Sequence, residues 1–204
     1  MNLLLSDSVA GLFFQVVPVA LLATFLYCAG RYLFLKKHSR PIAWRTELLR
    51  AIFLCYVAGL VNLVLVPSNF WGDIWYRLLV AGFDGWAPPR LFDGYFALVP
   101  TFVRYLTGEL AGSPGAWVST MLVGNFLMLV PMGVLLPLVF PKLRGRRMWV
   151  AATSVPLAIE LLQPVVGRSF DTDDLITNFL GILAGYALVK TILAVFTRRH
   201  GPAT

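Results

Sequence analysis

The 204-residue chain is 58% hydrophobic and only 13% charged, with a formal net charge of +7 and two cysteines. Soluble domains are about 45–50% apolar and near 25% charged, so this composition excludes an ordinary water-soluble globule and indicates an integral membrane protein. The length allows one compact domain. Continuous apolar runs, without the alternation of barrel strands, exclude an outer-membrane barrel and predict an all-α transmembrane bundle.

Five runs, 9–35, 49–66, 118–140, 148–165 and 175–196, reach the roughly 17–25 apolar residues that a span requires. No Lys or Arg precedes the first run, and Arg31 lies at its far end, so it reads as a span and not as a cleavable signal. Cys28 and Cys55 both fall inside apolar runs, where small buried side chains are expected. The basic residues flank the spans, so they read as topology signals, and no nucleic-acid partner is expected. Residues 31–50 carry Arg31, Lys36, Lys37, Arg40, Arg45 and Arg50 against one acid, Glu47. Lys142, Arg144, Arg146 and Arg147 separate the third and fourth spans, and Arg198, Arg199 and His200 follow the fifth. The positive-inside rule then places the N-terminus outside and the C-terminus in the cytoplasm.

The outer segment, 67–117, mixes both signs of charge. From Asn69 to Phe83, Trp71, Trp75, Leu78 and Leu79 recur at helical spacing, with Asp73 and Arg77 opposite, which predicts an interfacial amphipathic helix. Gly85, Pro88, Pro89 and Gly94 interrupt the chain. Residues 91–106, broken at Pro100, read as a re-entrant or surface-lying piece.

Each predicted span carries an amide or carboxyl side chain in its outer part: Gln15, Asn62, Asn125, Glu160 and Asn178. At about 1.5 Å rise per residue, all five fall roughly 5–11 Å below the outer surface, a shared polar layer. Near it, Glu160 and Gln163 stand at i, i+3, and Asp171, Asp174 and Asn178 at i, i+3, i+7. Asp171 or Asp173 is placed to cap the fifth helix, Asp173 as a solvent-exposed cap. Arg168 is the one cation between the fourth and fifth spans, able to pair with Glu160 or the aspartates, or to present its planar fork to a phosphate or carboxylate. Gly181 and Gly185 form a small-xxx-small packing face, and Pro131 with Gly133 marks a kink.

Catalytic templates fit poorly. His38 and His200 fall on the cytoplasmic side, away from the polar layer, and HExxH, P-loop and CxxC arrangements are absent. Glu160, Asp171 and Asp174 could hold a hard divalent cation, but three carboxylates without fixed geometry do not define a site. No catalytic residue, resident metal or cofactor is therefore assigned.

Leu98-Val-Pro100, Asn125-Phe-Leu-Met-Leu-Val-Pro131-Met-Gly133, Ile159-Glu160-Leu-Leu-Gln163 and the long block from Gly167-Arg168-Ser-Phe-Asp171 through Asp174 and Asn178 to Gly181 resemble the VanZ-like family of bacterial membrane proteins. The chain departs from that pattern before Leu98, where Phe96 and Ala97 stand in place of an asparagine. The resemblance implies a single VanZ-like domain over 1–204 in the bacterial cytoplasmic membrane. It singles out Asn125, Glu160, Gln163, Arg168, Asp171, Asp174 and Asn178 as ligand-binding residues. The family takes its name from a member associated with low-level teicoplanin resistance.

The expected function is binding or handling of an amphipathic cell-envelope molecule, a lipid-linked precursor or a lipoglycopeptide, in an outward polar pocket. Arg168 would contact phosphate or carboxylate, Glu160 and Gln163 would orient the head, and Asp171 and Asp174 would position Arg168 or a cation. A metal-assisted phosphohydrolase or transferase acting on an outer-leaflet lipid is the enzyme alternative. A structural polar layer in an accessory subunit is the third reading. The expected partner is a membrane lipid or lipid-linked cell-wall precursor, with assembly as a homo-oligomer or membrane complex left open.

Overall fold

In the computed structural model of the chain, residues 9–67, 70–87, 90–109 and 116–200 are described; the side chains of 9–10, 12–15, 102, 105, 116–119 and 196–200 are not. Gln15, Trp117, Arg198, Arg199 and His200 thus have side chains outside the described residues, as do Asn69 and the Pro88-Pro89 break entirely. Among the described residues, five helices are long and apolar enough to cross a membrane. They are α1 (Val9–Lys37), α2 (Trp44–Leu65), α5 (Ala116–Val139), α6 (Arg146–Leu162) and α7 (Thr172–His200), joined by shorter pieces. The chain divides into two compact units, residues 1–94 with 162–168, and residues 95–161 with 169–204.

In the first unit α1 packs on α2. Hydropathy places the start of α2 at residue 49, but the helix begins at Trp44 because its polar first turns are tied down. Arg31 Nε and Nη2 donate to the two carboxylate oxygens of Glu47, each at 3.0 Å, and Arg50 Nη1 donates to the same carboxylate at 2.9 Å. A bidentate guanidinium–carboxylate pair is the strong form of such a contact. The amphipathic segment is shorter than expected: α3 (Phe70–Tyr76) passes into one π-helical stretch, Arg77–Ala81, and stops at Gly82. Arg77 pairs with Asp73 one turn back, and Trp86 Nε1 donates to Asp73 at 2.7 Å. Leu78, Leu79 and Val80 remain exposed, as an interfacial segment requires.

The second unit is built on α5 against α7. A Cβ on Gly181 would stand 2.3 Å from the Phe126 carbonyl oxygen, and one on Gly185 would stand 2.1 Å from that of Val130. This is the close backbone approach that small residues permit in lipid. Gly133 belongs to the same seam, since its Cβ would stand 2.0 Å from the Ile182 oxygen. It is a contact glycine, therefore, in a helix that runs continuously through Pro131 and Pro137. Leu129 and Ile182 are fully buried at this seam, and Met148 and Ala152 of α6 are fully buried as well. Two short strands that leave no periodic trace in the sequence complete the unit. β1 (Phe96–Ala97) pairs in parallel with β2 (Phe170–Asp171), and the helix α4 (Thr101–Leu106) follows β1.

Candidate functional site

The structure places the seven residues expected to bind a ligand in two settings. Asn125, Glu160, Asp171, Asp174 and Asn178 belong to the second unit, Gln163 and Arg168 to the first.

In the second unit the polar groups gather at the start of α7. The helix begins at Thr172, so Asp171 is its N-cap, and its Oδ1 accepts the Asp173 N–H at 2.8 Å. That is the capping geometry in which a side-chain oxygen satisfies an early helix donor. The Asp171 N–H in turn donates to Glu160 Oε2 at 2.9 Å, joining α6 to the cap. Glu160 is completely buried. Burial raises the Asp171 carboxyl above its ordinary range, and the neighbouring Asp173 charge adds to this, against the N–H groups of Asp173 and Asp174 that favour the ionised form.

Asp173 corrects the expectation of a solvent-exposed cap. It is only 7% exposed and accepts the Thr101 N–H at 2.7 Å, so it caps α4 across the chain. Thr172 Oγ1 donates to the carbonyls of Ala97 and Leu98 at 3.2 and 3.0 Å, and the Phe96 and Phe170 rings stack 5.5 Å apart. The piece 95–106 is thus clipped onto the head of α7. One turn further on, Asn125 Nδ2 donates to Asp174 Oδ1, linking α5 to α7. Asn178, the next residue on that stripe, is 2% exposed, and its Oδ1 has no hydrogen-bond partner among the described residues.

In the first unit Gln163 and Arg168 serve α2. Its last carbonyls lack helical partners, as at every helix C-terminus. Gln163 Nε2 donates to the Val64 oxygen at 3.3 Å, and Arg168 Nη1 to the Leu63 and Val66 oxygens at 3.0 and 3.2 Å. Gln163 is thus tied to the end of α2, while Glu160 holds the Asp171 N–H. α6 ends at Leu162, and a 3-10 turn, Pro164–Val166, redirects the chain. Asn62 makes a clasp of its own. Its Oδ1 accepts from Trp71 Nε1 at 2.8 Å and its Nδ2 donates to the Ala58 oxygen at 2.7 Å, which holds the α3 segment to α2.

Thr101, Thr172 and Trp71 were not among the expected site residues. The Pro100-Thr101 junction signals a helix start, but nothing local shows that its cap is Asp173. Among the described residues, no group of three or more His, Cys, Asp or Glu side chains is placed to hold a metal ion.

The fold and these polar clusters define a multi-pass α-helical membrane protein with a buried acidic cap at the head of its last span. The VanZ/LLP1 family model matches residues 53–194, and the chain belongs to that family. No curated protein and no solved structure matches it.

Proposed function

We propose that the second unit binds the polar head of an amphipathic cell-envelope molecule at the start of α7, with the hydrocarbon part lying along lipid-facing helices. The observation that carries this reading is the buried amide oxygen of Asn178, which lacks a hydrogen-bond partner among the described residues. An unsatisfied buried polar group costs about 1–3 kcal/mol, and a donor supplied by a ligand would offset that cost. Asp174 stands one turn away and Glu160 contributes a buried carboxyl, so the set presents mainly acceptors. It suits a head rich in donors, such as the hydroxyls and amides of a lipid-linked glycan or a lipoglycopeptide, better than a bare phosphate.

A structural reading has its own support, because Asp171 and Asp173 cap helices and Gln163 and Arg168 hold α2. Asn178→Leu separates the two. On the binding reading the variant keeps or gains thermal stability, since an unpaired amide is replaced by an apolar side chain of similar size. On the same reading a lipid-linked molecule co-purifies with the native protein, as read by mass spectrometry of extracts, and the variant loses it. A variant that retains that molecule undiminished, at equal protein level, sinks the proposal.

A further inference from the structure

The groove between the ends of α1 and α2 lies in the first unit and ahead of the family-matched residues 53–194. Its volume is about 210 Å³, and Tyr27, Cys28, Leu35, Ile42 and Ala51 give it largely apolar walls. That is below the roughly 300–1,000 Å³ of pockets enclosing whole small molecules, and suits part of one hydrocarbon chain whose remainder lies in the bilayer. Arg31 and Glu47 also line it.

The charges on the helix ends and turn that form it are unbalanced. Glu47 holds both Arg31 and Arg50, so this triad keeps one net positive charge. Arg40 and Arg45, exposed on the connecting turn and the first turn of α2, add to it, with Lys36 and Lys37 at the end of α1. Trp44, 73% exposed beside the groove, has the amphipathic ring that favours the headgroup level. On the positive-inside reading this end faces the cytoplasm, where the leaflet carries the anionic lipid.

We propose that this groove is a binding site for an anionic phospholipid, with one acyl chain against Cys28 and Ala51 and the phosphodiester drawn to the cluster of Arg31, Arg40, Arg45 and Arg50. Charge complementarity selects the occupant: an apolar slot alone would take any lipid, whereas this one opens beneath a net positive rim.

The full chain in vesicles of phosphatidylglycerol and phosphatidylcholine supplies the test. Either lipid is brominated on its acyl chains at the same mole fraction, and the emission of Trp44 is isolated by difference from Trp44→Phe. Brominated phosphatidylglycerol is expected to quench Trp44 several-fold more than brominated phosphatidylcholine. Arg40→Gln and Arg45→Gln should each lower that preference, by up to about fivefold per charge. Cys28→Phe, which fills the slot, should bring quenching by phosphatidylglycerol down to the phosphatidylcholine level with helicity unchanged. If Cys28→Phe loses helicity, Ala51→Leu is the alternative filler. Equal quenching of the native chain by both lipids overturns the proposal, as does a preference that survives a well-folded filled variant. A dimer that either filler converts to monomer would assign the groove to a second copy of the chain, and also overturns it.

Discussion

Asp171 and Asp173, two positions apart, cap different helices, and the environment of Asp171 makes its contribution to stability depend on pH. Burial raises the Asp171 carboxyl, so the folded state holds its proton more tightly than the unfolded chain. The stability from that protonated form is fully present below the ordinary aspartate value, about 3.9, and is lost as pH rises through the raised folded value. Asp171→Asn keeps an oxygen for the Asp173 N–H without the ionisation. Its Tm in detergent should therefore gain on that of the native chain as pH rises from about 4, and the gap should level off above the raised value. Asp171→Ala lacks the acceptor and should lose about 0.5–2 kcal/mol relative to Asp171→Asn at any pH. A native-minus-Asn difference that stays flat across the acid range would remove burial as the controlling effect.

Among the elements, α2 is the one whose two ends the sequence hides best. Its spanning body is plain in the apolar run 49–66, but Arg45 and Glu47 look like loop until Arg31 is known to meet Glu47. Its far end is closed by Gln163 and Arg168, residues that the sequence assigns to a ligand because charge in a membrane protein suggests function. These contacts are not legible in the sequence because helix carbonyls are invisible as side-chain partners, although a cation at a helix C-terminus meets both the dipole and the unpaired oxygens. Local signals succeeded where the partner is local: the Asp171 cap and the Asp73–Arg77 pair both follow from spacing. They failed for the β1–β2 pair and the Asp173–Thr101 cap, which join segments some 70 positions apart. Arg168→Gln should lose about 1.5–3 kcal/mol, the worth of hydrogen bonds from a charged donor. Hydrogen exchange in peptides covering 60–66 should quicken accordingly, while the middle of α2 stays protected; unchanged exchange there would show that the clamp is not holding the helix end.

For the molecule as a whole, five spans and the VanZ/LLP1 match define a multi-pass membrane protein, and the loop charges supply its proposed orientation. With Cys28 and Cys55 replaced by alanine, an impermeant thiol reagent applied to intact cells should label Asp84→Cys. Ser39→Cys should react only after lysis. The opposite pattern would invert the topology and move the α1–α2 groove to the other leaflet.

The clamp on α2 also has a consequence in time. Arg168 reaches back 105 positions to Leu63, and Gln163 reaches back 99 to Val64. At about 5–20 residues per second of synthesis, the closing turn of α2 enters the membrane on the order of 5–20 s before the residues that hold it have been made. During that interval its last carbonyls depend on headgroups, water or the insertion machinery. Completion of the first unit is therefore a late event in biogenesis, timed by the emergence of residues 162–168 after α5 and α6.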